Sequence, residues 1–182
     1  MPDAHAAGGE PVAKYGAGAG ADSGAGPGAD SGAAASAAVE RWLAANDVDG
    51  ERDGERWMVM LRGERKRTVA VTMSLGDHTL IAQSFFMRAP DEDAAAVYEL
   101  LLRRNLRSYT LRFALHPDGD VLLVGVLPLE AVTADEIDRM LGQLLAVADA
   151  TFDEALRRGF ADYIAREQAW RSSTGLPPNP IT

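Results

Sequence analysis

The stretch TVAVTMSL, residues 68–75, determines the fold class of this chain. Every second residue is large and apolar, and the residues between are small or polar. This period of two is typical of an antiparallel β-strand with one buried face. The short segment 76–78, Gly-Asp-His, has the length and composition of a hairpin turn, so residues 79–87 are predicted to return as the next strand.

Upstream of this stretch the sequence predicts a helix and a further strand. Residues 33–45 form a short first helix, and residues 46–55, rich in Asp, Gly and Glu, form a loop exposed to solvent. WMVML, residues 57–61, is an apolar run with strand character. RGERKR, residues 62–67, separates this strand from the alternating one.

Downstream, a helix is predicted to start at Pro90-Asp91-Glu92-Asp93, because proline presets the first turn and carboxylates favour the positive end of the helix dipole. It continues towards Asn105. Residues 109–115 alternate as a fourth strand, HPDG at 116–119 is a tight-turn sequence, and residues 121–127 form a fifth, interior strand.

The last helix has the clearest start signal. Thr133-Ala134-Asp135-Glu136 is a capping box, flanked by Val132 and Ile137 at the positions of a hydrophobic staple. An apolar helical stripe follows as far as Phe160 and extends the helix towards Arg166 unless Gly159 interrupts it. The predicted fold class is α+β, in the order α-βββ-α-ββ-α, with a five-stranded, mostly antiparallel sheet covered by helices.

Both ends of the chain differ in composition from this central part. Residues 1–32 are dominated by Gly and Ala and are predicted to be a disordered tail. Residues 33–167 form the predicted domain, and residues 168–182 form an extended, Pro-rich C-terminal tail.

Composition narrows the classes of partner. The net charge of −9 disfavours nucleic acid and anionic lipid, which would repel the chain. The absence of cysteine excludes disulfides, thiolate nucleophiles and cysteine-ligated metals. No signal peptide or membrane span is predicted, so we expect a soluble cytoplasmic protein.

Three stretches of this chain together resemble the YbjN family, whose domain is similar to the type III secretion chaperone fold. They are LLLRRN at 100–105, FALHPDGDV at 113–121, and LPL at 127–129 followed by the capped helix and Ala148-Asp149. The resemblance covers roughly residues 34–160. It implies a small dimerising adaptor or chaperone-like domain and supplies no catalytic residues.

Catalysis and cofactor binding are poorly supported by the residues themselves. The three histidines, His5, His78 and His116, belong to no recognisable catalytic or zinc motif, and no phosphate-binding glycine loop is present. A metal at His116, Asp118 and Asp120 is conceivable, but a simple turn explains those residues better. We therefore predict no enzyme activity, no metal and no cofactor.

A basic cluster and an apolar surface are the two candidate binding sites. Arg62, Arg65, Lys66 and Arg67 could bind an anion, although charge at a hairpin tip also protects a sheet edge. Methionines and an aromatic residue offer adaptable apolar surface, either for the core or for a partner. The candidate partner-binding residues are Met58, Met60, Met73 and Phe86.

Two functions follow as hypotheses. The first is a non-enzymatic adaptor or chaperone-like regulator that binds an unidentified protein partner and is a homodimer. The alternative is a regulator that binds a nucleotide, a cofactor or nucleic acid through the basic hairpin 62–67.

Overall fold

The computed structural model describes residues 27–48 and 50–178, with side chains from residue 30 onward. The helices are α1 (Pro27–Asn46), α2 (Ala94–Asn105), α3 (Ala134–Gly159) and α4 (Ala161–Ser173), with a 3₁₀ turn at Leu129–Ala131. The strands are β1 (Gly50–Asp53), β2 (Arg56–Leu61), β3 (Val69–Leu75), β4 (Thr79–Met87), β5 (Leu111–Leu115) and β6 (Val121–Pro128).

The six strands form one antiparallel sheet in the order β1-β2-β3-β4-β6-β5. The α+β class and the antiparallel sheet are confirmed, but the predicted number of five strands is wrong. The additional strand is β1, which lies in the segment predicted to be a loop. Its four residues are exposed and three of them are charged, so they lack the apolar pattern of a strand, and β1 forms through its backbone pairing with β2.

The sheet buries one face against the helices. Alternation along β2 and β3 places Trp57, Val59, Val71 and Met73 on that side, all with no exposed surface. The largest fully buried side chains of the core are Trp57, Phe86, Met73, Leu80, Met87, Leu111, Leu123, Ile137, Met140, Leu141, Leu144 and Val39. Helix α3 contributes four of these from its apolar stripe, as its sequence period predicts.

Polar contacts attach α1 to the rest of the domain. The Trp42 indole Nε1 donates to the Asp138 carboxylate on α3 (3.1 Å), and the Trp57 indole donates to Glu40 (2.8 Å). Glu40 also accepts from Arg52 on β1 at 2.8 Å. These contacts give the buried Trp N–H groups the acceptors that they need, and they fix α1 across one end of the sheet.

The long last helix ends at Gly159, and a separate helix α4 follows. The Gly159 carbonyl accepts from the amides of Asp91 (3.0 Å) and Glu92 (3.2 Å), and the Glu92 carboxylate accepts from the amide of Asp162 (2.8 Å). A Cβ at Gly159 would lie 3.0 Å from the Pro90 side chain, so this close approach favours glycine. The predicted acidic start of α2 therefore serves the α3–α4 corner, and α2 begins only at Ala94.

The bounds of the first and last helices also differ from those expected. Helix α1 begins at Pro27 rather than Ala33, and α4 remains helical to Ser173, within the segment expected to be extended from residue 168. The greater part of the predicted N-terminal tail, residues 1–26, lies outside the described residues, as do residues 179–182.

Candidate functional site

One face of the sheet is not covered by any element among the residues described. Met58, Met60 and Phe85 point to this side and are 47%, 55% and 50% exposed. Val126 is also exposed here, and Ile81 is half-buried. We call this surface the open face. Contiguous apolar surface of this kind on a small domain is typical of a protein-binding surface.

The strand register arranges the open face in rows that cross the sheet. One row crosses all six strands and is formed, from β1 to β5, by Glu51, Met58, Thr72, Gln83, Val124 and Arg112. A second row contains Met60 and Ala70 on β2 and β3, and Phe85, Leu122 and Ala114 on β4, β6 and β5. Apart from the polar Thr72 and Gln83, the side chains between the two edge strands are therefore apolar, and the charged Glu51 and Arg112 lie at the two edges of the face.

An irregularity in β4 sends adjacent phenylalanines to opposite sides. Phe85 pairs with Leu122 and Met87 pairs with Val121, so Phe86 occupies an extra position in the strand. Phe86 lies in the core with 1% exposure, in edge contact with the rings of Phe113 (4.9 Å between centroids) and Phe152 (5.8 Å). Phe85 remains on the open face.

The structure therefore divides the predicted partner-binding residues into two groups. Met58 and Met60 lie on the open face, whereas Met73 and Phe86 lie in the core, where the folded domain cannot present them. For Met73 the reason is the alternation of side chains along β3, which places it on the same buried face as Val69 and Val71. For Phe86 the reason is the irregularity in β4, which alternation in the sequence does not reveal.

The backbone of the basic hairpin 62–67 is held against α3 by one carboxylate. Asp149 accepts from the backbone amides of Glu64 (2.7 Å), Arg65 (3.0 Å) and Lys66 (2.9 Å). Burial alone would raise the pKa of the Asp149 carboxyl, but these three donors and the charge of Arg65 hold it below its usual range. At Gly63 a Cβ would lie 2.6 Å from the Lys66 carbonyl oxygen, so only glycine fits this loop.

Lys66 turns away from solvent in the same hairpin. Its ammonium donates to the backbone carbonyls of Phe85 and Phe86, the latter at 2.9 Å, and lies within 5.8 Å of the Phe152 ring centroid. Burial lowers the pKa of Lys66 to about 8. Lys66 thus satisfies the carbonyls at the irregularity in β4.

The predicted anion site is consequently not assembled as one cluster. The Lys66 ammonium already donates hydrogen bonds to backbone carbonyls, and the Arg65 guanidinium lies 3.5 Å from the Asp153 carboxylate. Arg62 and Arg67 are exposed and border a groove of about 1240 Å³ beside Met58 and Met60. Acidic Asp47 and Glu51 line the same groove, which weakens its attraction for an anion.

A second apolar surface, which the sequence analysis missed, lies on the helix side of the sheet. It comprises Leu102 and Leu106 at the end of α2, the following Tyr109, and Leu115 on β5. Leu106 and Tyr109 are 87% and 89% exposed, and all four are at least half exposed. We call this surface the helix–edge patch. In the sequence, the run of three leucines at 100–102 indicates an exposed leucine, because consecutive helical residues cannot all face the core.

Beside this patch, side chains form hydrogen bonds with backbone groups of the edge strand β5. The Ser108 hydroxyl accepts from the Leu111 amide (3.3 Å), and Asn105 bonds both polar backbone groups of Phe113. Arg112 donates through Nη1 to the carbonyls of Ser108 (2.7 Å) and Leu111 (2.5 Å). A partner is therefore expected to meet this edge through side chains rather than by adding a strand.

The candidate metal ligands lie in the turn between β5 and β6. His116 Nδ1 is 3.0 Å from the Asp118 carboxylate, and Asp120 accepts from the Ala89 amide at 2.9 Å. In the part of the chain that the structure describes, no three His, Asp or Glu side chains are grouped as a metal site. Among the same residues, no helix is long and apolar enough to cross a membrane.

Comparisons with known proteins agree with the resemblance noted in the sequence. Residues 35–157 match the model of the YbjN family, described as "Putative bacterial sensory transduction regulator". Uncharacterized protein Rv0487 of Mycobacterium tuberculosis is 46% identical over 118 residues, which are 65% of this chain and 64% of that relative's length. The matched segment is thus less than two thirds of the relative.

Solved structures resemble this fold at low sequence identity. A chain in the structure of the HopA1–SchA chaperone–effector complex is 13% identical and has a TM-score of 0.53, with 68% of this chain and 97% of that chain covered. A chain in the complex of the Yersinia pestis type III secretion chaperone SycH with a fragment of YscM2 is 19% identical, with 65% and 98% covered and a TM-score of 0.49. The match over residues 35–157 spans more than half of the sequence, and the chain therefore belongs to the YbjN family.

Proposed function

We propose that this domain is a non-enzymatic adaptor that works by binding another protein chain and that it does so as a homodimer. The observation that supports this proposal best is the presence of two separate uncovered apolar surfaces, the open face and the helix–edge patch. A homodimeric adaptor needs two such surfaces, one for its own copy and one for its partner.

The chemistry of the two surfaces favours a protein as the ligand. Methionine, leucine and aromatic side chains provide adaptable contact area, and few fixed polar groups are available to orient a small molecule. The fold shared with a chain of the HopA1–SchA chaperone–effector complex is compatible with this function. No comparable observation favours a nucleotide or nucleic acid at hairpin 62–67, since Lys66 and Arg65 are already engaged.

The test is affinity capture of the tagged full chain from its native cell extract, followed by binding measurements with the purified candidate. We compare the wild type with two double variants, Met60→Glu with Phe85→Glu on the open face and Leu102→Glu with Leu106→Glu on the helix–edge patch. Ala146→Glu on the exposed side of α3 is the matched control. A captured protein should bind the pure wild type in a fixed ratio, and this binding should be lost with one of the double variants.

Two results would contradict the proposal. One is a purified candidate that binds all four chains equally, since its binding would then not involve either apolar surface. The other is a wild type that stays monomeric and binds no protein in pure form. In that case the uncovered surfaces would need another explanation, and small ligands should be screened.

A further inference from the structure

The open face has a pattern that is complementary to its own reverse. Along the row that crosses all six strands, the end residues Glu51 and Arg112 are opposite in charge. Their neighbours Met58 and Val124 are both apolar, and the central Thr72 and Gln83 are both polar. When a second copy of the row is laid over the first in reverse order, acid therefore lies against base, apolar against apolar and polar against polar.

The second row has the same property in side-chain volume. The β3–β4 pairing ends at Thr72 and Gln83; two residues beyond it, Ala70 pairs with Met60 on β2, and Phe85 pairs with Leu122 on β6. When this row is reversed, Met60 faces Leu122 and the small Ala70 faces the large Phe85. Large side chains opposite small ones are the arrangement that lets two layers interdigitate.

From these rows we infer that the open face binds the open face of a second copy of this chain. The two-fold axis runs parallel to the strands and passes between β3 and β4, so that β1 of each copy lies over β5 of the other. Two sheets packed in this way lie about 10 Å apart with their strands nearly aligned. The inference rests on the proposed homodimer and specifies its interface.

An unrelated partner would not require this pattern. Its surface could complement any distribution of side chains, whereas a two-fold interface must be complementary to itself. The row that contains Arg56 and Val126 is not complementary to its own reverse, because reversal places the charged Arg56 opposite the apolar Val126. This row lies at the end of the face, where the interface would have its polar rim. The helix–edge patch then remains available for the protein partner.

The size of the open face predicts a weak dimer. Six strands spaced about 4.8 Å apart give a width of about 24 Å, and strands of this length give a height of roughly 20 Å. Such a face is smaller than the roughly 800 Å² per partner of a standard interface. The dimer should therefore be measured by sedimentation over a concentration series that reaches the high micromolar range.

Charge reversal tests the predicted contact between Glu51 and Arg112. The single variants Glu51→Arg and Arg112→Glu each place like charges opposite one another twice, so each should dimerise on the order of tenfold more weakly. An equimolar mixture of the two variants restores both attractive pairs and should form a heterodimer of wild-type strength. Glu130→Arg, an exposed change on the 3₁₀ turn, is the matched control and should dimerise like the wild type.

A cross-linking measurement leaves both charges in place, in case Arg112→Glu disturbs the edge of β5. The chain contains no cysteine, so an introduced thiol is unique. A mixture of Met58→Cys and Val124→Cys chains should be joined by a short bismaleimide into a mixed dimer. The pair Met58→Cys and Ala146→Cys, with one thiol on the open face and one on α3, should yield little.

The outcomes separate this interface from the proposed function. A wild type that remains monomeric at every concentration overturns both the interface and the homodimer. A wild-type dimer that tolerates both charge reversals and gives no Met58–Val124 cross-link overturns the interface alone. Rescue in the mixture together with the cross-link supports the interface, whatever protein the helix–edge patch binds.

Discussion

The side-chain amide of Asn105 makes the two backbone hydrogen bonds with Phe113 that a neighbouring strand would otherwise make. Its Oδ1 accepts from the Phe113 amide at 2.8 Å, and its Nδ2 donates to the Phe113 carbonyl at 3.3 Å. Phe113 lies on β5, an outer strand of the sheet, and Asn105 is the last residue of α2. The pair therefore fixes the end of a helix to a strand and satisfies backbone groups that would otherwise face solvent.

Replacing Asn105 with alanine should destabilise the domain. The change removes both bonds to Phe113, and we expect the free energy of unfolding to fall by roughly 1–3 kcal/mol. Urea unfolding followed by circular dichroism gives this value. Asn105→Asp retains the acceptor and should fall between the wild type and Asn105→Ala.

Asn46→Ala is the matched control for this prediction. The Asn46 amide donates only to the Trp42 carbonyl one turn earlier in α1, at 2.9 Å, so its loss should cost less than about 1 kcal/mol. Equal losses for the two alanine variants would show that the bond pair to Phe113 has no special role at the sheet edge.

Asp149→Ala should release the hairpin 62–67 from α3. Three backbone amides lose a charged acceptor, and because the site is partly exposed to water we expect a cost on the order of 1–2 kcal/mol. Amide exchange at Glu64, Arg65 and Lys66 should accelerate together. Asp153→Ala, which removes only the ion pair with Arg65, should leave those exchange rates within about twofold of wild type.

The stability due to Lys66 should depend on pH in the alkaline range. Because burial lowers its pKa from 10.5 to about 8, the unfolded chain binds more protons at this site between those values. The free energy of unfolding contributed by Lys66 should therefore rise with pH from about 8 to about 10.5.

Comparison with Lys66→Met isolates this contribution from other titrations. Urea unfolding of both proteins at several pH values should show the wild type gaining stability relative to the variant as the pH rises. Parallel curves for the two proteins would mean that Lys66 has the same pKa in the folded and unfolded chains.

The same charge should destabilise the domain far more at Phe86 than at the adjacent Phe85. Phe86→Glu buries a carboxylate in the core and should cost about 4 kcal/mol or more, enough to unfold a marginal domain. Phe85→Glu places the charge on the open face and should change stability by no more than about 1 kcal/mol. Thermal unfolding distinguishes the two, and similar losses would contradict the irregularity in β4.

Much of the fold was predictable because its signals are local. The alternation of residues 68–75, the turn at 116–119 and the start of α3 at Thr133 depend on side chains that are neighbours in sequence. The Thr133 hydroxyl accepts from the Glu136 amide at 3.1 Å, and the His116 carbonyl accepts from the Gly119 amide at 2.8 Å. In both cases a residue and its partner lie within three positions.

The site was less predictable because its contacts join distant segments. Lys66 looked like a surface cation, but it is 20 positions away from the Phe86 carbonyl that it bonds. Strand β1 has no apolar pattern and exists through its pairing with β2. The helix–edge patch becomes visible only when the burial of Leu100 and Leu101 leaves Leu102 outside.

The sequence by itself determined the α+β class, most of the strands and helices, and the family, because periodicity, turns and caps act within a few residues. Only the tertiary structure decided which apolar residues form surface. Met60 and Met73 are chemically alike, yet the register of β2 and β3 exposes one and buries the other. That choice depends on which sheet face the helices cover, and no local stretch of sequence specifies it.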